Sequence, residues 1–342
     1  MTDALTRDPE RILLIKPSSL GDVVHALPVL NLLRRRFPRA RISWMLAAAC
    51  AGLLEGHPQL DEIILFDRKR LGTAWRSPRA LQELWNLNRG LRHRRFNLVI
   101  DLQGLLRSGW MTWRTGAADR VGFANAREGA WLFYNWRIPI ETMEQHAVER
   151  YLKVAEAVGC GREPVEFRFH VTDEDRAQVD ALIPPREKFA VLLPATNWAT
   201  KRWPAERFAA MVGAIEKRFG LKSVVAGAAD AAGLAPRIQP HFDVTGKTRL
   251  RQLVALLERA SLVIANDSGP MHIAAALGRP LVCVFGPTNP VRTGPFGRND
   301  SVVRVTIPCA PCYSRTCSHR SCLEWLEIEP VLRAAERQIT RP

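Results

Sequence analysis

Lys16-Pro17-Ser18-Ser19-Leu20-Gly21-Asp22-Val23-Val24-His25 puts an ammonium, two hydroxyls, a carboxylate and an imidazole on one short stretch. It follows the apolar run Arg11–Lys16 and opens an amphipathic segment from Val23 to Arg36, so it joins a strand to a helix. Ligands of open α/β sheets bind beyond the carboxyl ends of strands, which makes this loop a default site. Gly21 allows close backbone approach. Asp22 falls in the first helical turn, where it serves either as a partner of the helix dipole or as a carboxylate in a cleft that accepts a proton. His25 shares that helix face and is expected to be structural.

A second strand, turn and helix is spelled by Ala265-Asn266-Asp267-Ser268-Gly269-Pro270-Met271-His272. Ser268 suits a cap, Gly269 admits an anion to the backbone, and Pro270 fits a first helical turn whose N–H groups point at a phosphate. Asp267 repels phosphate but suits sugar hydroxyls, so the expected ligand carries both. The loop Pro194–Pro204 follows another strand and offers the Thr196 hydroxyl and the Lys201 ammonium to the same anion. Gly286-Pro287-Thr288 makes a further turn at the same edge. Gly246-Lys247-Thr248 resembles the end of a P-loop, but His241 stands where the first glycine belongs. No G-x-G-x-x-G follows a strand, and neither a nucleophile elbow nor H-E-x-x-H is present.

The elements that must position these loops are short β-branched runs alternating with amphipathic segments, the pattern of a parallel α/β sheet. Strands are expected at Arg11–Lys16, Arg41–Leu46, Glu62–Phe66, Asn97–Asp101, Phe189–Leu193, Ser223–Ala226, Leu262–Ala265 and Leu281–Phe285. Helices are expected near Val23–Arg36, Pro78–Arg94, Ala205–Phe219, Leu250–Arg259 and Met271–Leu277. At roughly 150 residues per domain, 342 residues predict about two. A polar start and Pro184-Pro185 mark 171–188 as a linker between domains at 1–170 and 189–342. The composition, 47% hydrophobic and 24% charged, excludes a disordered chain. The longest apolar stretch, Ile42–Leu54, is shorter than the roughly 18 residues of a membrane span. Met1–Glu10 places acids before any apolar run, the wrong order for a secretory signal, so a cytoplasmic location is expected.

The formal net charge is +15, and residues 34–127 hold 18 basic against 7 acidic residues. Nucleic acid, an anionic membrane surface and an acidic substrate are the three readings of that excess.

These motifs resemble glycosyltransferase family 9, the heptosyltransferases of the lipopolysaccharide inner core. Besides Ser18–Pro28, the resemblance rests on Asp101–Ser108, Ala126-Arg127-Glu128, Leu132–Asn135 and Gln145–Arg150, which look most like heptosyltransferase I. Lys201-Arg202-Trp203-Pro204, Asp267-Ser268-Gly269 with His272, and Gly286-Pro287-Thr288 match the donor side. The resemblance implies a GT-B fold, two Rossmann-like domains facing across a cleft, with the last helix packing back on the first domain. It implies transfer of L-glycero-D-manno-heptose from ADP-heptose to Kdo on lipid A, with inversion and no required cofactor. Asp22 then takes the base role. Thr196, Asn197, Lys201, Asp267, Ser268, Gly269, Pro270, Met271, His272 and Thr288 hold the donor, while Ser19, Gly21, Arg107, Arg120 and Arg127 face the acceptor. The place of work is the cytoplasmic face of the inner membrane, whose anionic surface explains the basic first half. Heptosyltransferase II, or a family member with another nucleotide sugar, is the near alternative.

Cys309, Cys312, Cys317 and Cys322, with His319 among them, depart from that pattern. Structural zinc, reduced thiols in a loop and redox chemistry all suit such a cluster. Cys50, Cys160 and Cys283 are expected in the core. The rival from another class is a nucleic-acid-binding protein with a metal module, using Trp110, Trp113, Trp131 and Trp136. The family resemblance predicts no nucleic-acid partner.

Overall fold

The computed structural model describes residues 5, 7–67, 77–142 and 144–341. Of the N-terminal stretch read as lacking a signal, positions 1–4 and 6 lie outside the described residues. The chain divides into two compact units, Met1–His170 and Val171–Pro342.

In the first unit, strands β1 (Arg11–Ile15), β2 (Arg41–Leu46), β3 (Glu62–Leu65), β4 (Leu98–Asp101), β5 (Asp119–Phe123) and β6 (Trp136–Ile138) pair in the order β3-β2-β1-β4-β5-β6, every pairing parallel. Its longer helices are α1 (Leu20–Arg36), α2 (Pro78–His93), α3 (Leu106–Arg114) and α4 (Ala147–Ala157). Parallel strands are covered on both faces, and Ile12–Ile15 and Leu98–Ile100 are accordingly buried without alternation. The strand order reverses at β1 and β4, so the loops leaving them open side by side at the sheet's carboxyl edge.

The second unit repeats the plan. After helix α5 (Asp173–Leu182) come β7 (Phe189–Leu193), α6 (Ala205–Phe219), β8 (Lys222–Val225), β9 (Phe242–Asp243), α7 (Leu250–Arg259), β10 (Leu262–Asn266), α8 (Gly269–Ala276), β11 (Leu281–Val284), β12 (Val302–Val303) and α9 (Ile328–Ile339). The parallel order β12-β11-β10-β7-β8-β9 reverses at β7 and β10, again placing two loops at one edge.

One expectation needs correction. The stretch 171–188 is no linker: Thr172 caps α5, its hydroxyl accepting the Asp175 N–H at 3.2 Å, and α5 packs on α7. The polar start is a capping signature. The last helix lies within the second unit, where the domain reading of 189–342 puts it: Val331, Leu332, Ala334 and Ala335 are buried in one core with Trp203, Phe208, Ile264 and Val282.

Gly122 links this scaffold to the first site. It pairs with Asp101 in register, and a Cβ there would overlap the Tyr134 ring, whose hydroxyl donates to Asp101 at 2.6 Å. Gly122→Ala should cost about 1–3 kcal/mol through that overlap and lower the thermal midpoint by several degrees in a melt followed by circular dichroism. An unchanged midpoint would contradict this packing.

Candidate active site

At the β1 edge of the first unit, Asp22 divides its carboxylate between two tasks. Oδ2 accepts the backbone N–H of Ser19 at 2.8 Å and its hydroxyl at 2.9 Å, the reciprocal half of a helix cap. Oδ1 faces Lys16 Nζ at 3.5 Å and accepts the Tyr151 hydroxyl at 3.4 Å. Asp22 keeps 34% of its side chain exposed, whereas Lys16 and Tyr151 are buried. Burial alone would disfavour the Lys16 ammonium, yet the nearby Asp22 carboxylate, with Tyr151 and Asp101, holds its pKa above the ordinary lysine value. Burial likewise raises the Tyr151 phenol, against the pull of Lys16. His25 is buried, its ring edge-on to His146 at 5.0 Å.

The β4 edge adjoins it. Asp101 is fully buried, and burial raises its pKa against hydrogen bonds from Tyr134, Ser108 and the amides of Gln103 and Gly104. That carboxyl shapes the turn from which α3 starts. Arg107 stands exposed on the first turn of α3. Arg127 is tied to the same turn through its N–H, which donates to the Gly104 carbonyl at 3.0 Å. Its guanidinium is exposed, with no ion pair among the described residues. Arg120 is anchored: its guanidinium donates to the carbonyls of Phe133 at 3.1 Å and Ala117 at 2.6 Å, so it braces the β5–β6 connection. Ser19 is exposed and Gly21 buried at the start of α1.

At the second unit's switch point, Asp267 is the hub. It is 5% exposed; its Oδ2 lies 2.6 Å from Lys201 Nζ and accepts the Thr288 hydroxyl at 2.5 Å, while its backbone carbonyl accepts Thr196 Oγ1 at 3.3 Å. Asn266 latches the loop from the other side, donating to the Pro194 carbonyl at 2.7 Å and accepting the Trp203 N–H at 3.2 Å. Ser268 is the N-cap of α8, and its hydroxyl oxygen is buried without a hydrogen-bond partner among the described residues. Gly269 and Pro270 form the first helical turn. Met271 and His272 are buried, so Met271 offers a ligand its backbone and not its side chain. Asn197 is exposed on the loop. The structure thus gathers Thr196, Lys201, Asp267, Ser268 and Thr288, all expected, but uses Asp267 to neutralise Lys201.

Lys16 and Tyr151 were not singled out as site residues. A lysine closing an apolar strand was the one signal present, and it acquires meaning through its contact with Asp22.

Cys309, Cys312 and Cys317 are exposed and Cys322 is buried. Burial raises the Cys322 pKa, and the neighbouring thiols of Cys312, Cys309 and Cys317 raise it further. Among the described residues no set of three or more His, Cys, Asp or Glu side chains is gathered closely enough to hold a metal ion. Cys50, Cys160 and Cys283 are buried, as expected for core positions. Among the described residues no helix is long and apolar enough to cross a membrane.

Two Rossmann-like units, each with charged side chains at the switch point of its parallel sheet, follow the plan of the GT-B glycosyltransferases. The family profile described as glycosyltransferase family 9 (heptosyltransferase) matches residues 84–323. The lipopolysaccharide heptosyltransferase 1 of Pseudomonas aeruginosa is 32% identical over 326 residues, covering 91% of this chain and 88% of that protein. The lipopolysaccharide core heptosyltransferase OpsX of Haemophilus influenzae is 28% identical, covering 88% and 86%. The solved structure of E. coli heptosyltransferase WaaC with ADP superposes with a TM-score of 0.79 at 28% identity, over 96% of this chain and 99% of that one. The chain belongs to glycosyltransferase family 9.

If Lys16 is the charge partner of Asp22, Lys16→Met should raise the Asp22 pKa, because the carboxylate loses its nearest cation. A titration of the Asp22 carboxyl carbon by NMR checks this, and an unmoved midpoint would contradict the pairing.

Proposed function

We propose that the protein transfers L-glycero-D-manno-heptose from ADP-heptose to the Kdo of Kdo-lipid A, the heptosyltransferase I step of lipopolysaccharide core synthesis. The observation that carries the reading is the convergence of Lys201, Thr196, Thr288 and the start of α8 on Asp267. An ammonium and a helix N-terminus together suit the diphosphate of a nucleotide sugar, and ADP is the nucleotide in the solved relative. Asp267 Oδ1, which Lys201 and Thr288 leave untouched, suits a heptose hydroxyl.

The chemistry is a single displacement. Asp22 takes the proton of the acceptor hydroxyl, whose oxygen attacks the anomeric carbon as the bond to the diphosphate breaks and ADP leaves. Lys201 and the α8 N–H groups stabilise the charge developing on the leaving group, so the transfer needs no metal. The exposed guanidiniums of Arg107 and Arg127 suit an acceptor rich in carboxylate and phosphate.

A cytoplasmic enzyme acting on such a lipid must sit at the anionic inner-membrane surface. Leu81, Trp85, Leu106 and Trp113 are about half exposed on α2 and α3, which pack against each other, and Arg89 and Arg114 stack over the two tryptophans at 5.3 and 5.9 Å. Apolar rings beside guanidiniums match a headgroup interface. Trp85→Ser should reduce sedimentation with vesicles containing phosphatidylglycerol; unchanged sedimentation would count against this face.

Asp22→Asn keeps the shape and, through its amide oxygen, the cap contacts with Ser19, but takes up no proton. Turnover of ADP-heptose with Kdo-lipid A should fall by roughly 10²-fold or more, with ADP affinity by calorimetry unchanged. Lys201→Ala should show the converse, a loss of ADP affinity in a protein whose circular dichroism is retained. Chelator should leave wild-type turnover intact. Near-normal turnover in Asp22→Asn would remove the base from this position.

A further inference from the structure

The cysteine-rich segment is fastened to the loops around Asp267. The Tyr313 N–H donates to the Pro287 carbonyl at 2.8 Å, the Thr200 hydroxyl donates to the Ser314 carbonyl at 2.8 Å, and Arg292 lies over the Tyr313 ring at 5.4 Å. Pro287 adjoins Thr288, and Thr200 adjoins Lys201. Residues 313–314 are therefore held between the two loops that converge on Asp267.

The next residue, Arg315, places its guanidinium 4.7 Å from the centroid of the Trp198 ring, and Lys201 Nζ lies 4.6 Å from the same centroid. Two cations share one indole. Lys201 has Asp267 as its counter-charge, whereas Arg315 has neither a carboxylate nor a hydrogen-bond acceptor among the described residues. Stacking occupies the face of a guanidinium and leaves its N–H edge available to a ligand in the plane. Beside them, the buried Ser268 hydroxyl at the start of α8 also has no partner. A surplus positive charge with unused donors suits an anion of more than one charge.

We propose that Arg315 is a second cation for the diphosphate of the nucleotide donor, carried to the Lys201 loop by the cysteine-rich segment and held there by Trp198. The proposal rests on the reading of this unit as the donor site. It gives the segment a function that depends on its fastening at Tyr313 and Ser314. Lys201 sits where the buried carboxylate offsets it, and Arg315 restores the charge that Asp267 removes.

Calorimetry of wild type, Arg315→Ala and Arg315→Lys with ADP and with adenosine tests the assignment. Arg315 is exposed, so neither variant disturbs a core. Loss of a charge-assisted contact predicts about tenfold weaker ADP binding in Arg315→Ala, unchanged adenosine binding, and partial recovery in Arg315→Lys. Wild-type ADP affinity in Arg315→Ala would overturn the proposal, including the case where acceptor KM alone rises. Adenosine binding that weakens as much as ADP binding would overturn it too, leaving Arg315 as a brace for Trp198. Wild type that binds no ADP would instead refute the donor-site reading itself.

Discussion

A carboxylate buried to the extent of Asp267 persists as a charge when a cation and hydrogen-bond donors meet it. Lys201 from the loop after β7 and Thr288 from the loop after β11 both do so, and Thr196 closes on the adjacent carbonyl. One buried group thus draws together loops leaving three parallel strands. Removing one partner of such a pair costs about 3–5 kcal/mol, because the other is left desolvated. The start of α8, which follows Asp267 directly, is held in place by the same contacts.

The first unit repeats the device at its own switch point. Lys16 follows β1 directly, Asp22 enters from the first turn of α1, and burial of the lysine makes the pair depend on proximity. Asp22 Oδ2 caps the helix while Oδ1 meets Lys16 and Tyr151, so the choice between a helix-dipole partner and a chemical carboxylate dissolves. Both are true, of different oxygens. The cap holds the side chain in one rotamer, which is what a base with a fixed approach to its substrate requires.

Much of this was legible in order of residues alone. Phe189–Leu193, Ala205–Phe219 and Leu250–Arg259 have the expected bounds, since a continuous apolar run or a 3.6-residue period decides them. β5 and β6 were missed because Asp-Arg-Val-Gly-Phe and Trp-Arg-Ile show no such run; their place comes from pairing beside β4 and from the ring of Tyr134 over Gly122. The acidic start of α5 read as solvent-exposed linker although Thr172 and Asp175 spell a cap. In the candidate site, the serine, glycine and proline of a helix start were legible, and α8 begins on them. The roles of Lys16, Tyr151 and Arg315 were not, for each depends on a contact across the fold. The anchoring of Arg120 was not legible either: its position in a basic half says nothing of the two carbonyls it bridges.

The central claim is a single displacement by an acceptor oxygen on the heptose of ADP-heptose, with one carboxylate as base. The anomeric configuration of the product tests it most directly. Wild-type protein incubated with ADP-heptose and Kdo-lipid A, and the product examined by NMR at the new glycosidic carbon, should yield a single anomer inverted relative to the donor. A retained configuration would require a covalent or front-face route that Asp22 as a lone base does not provide, and would contradict the account.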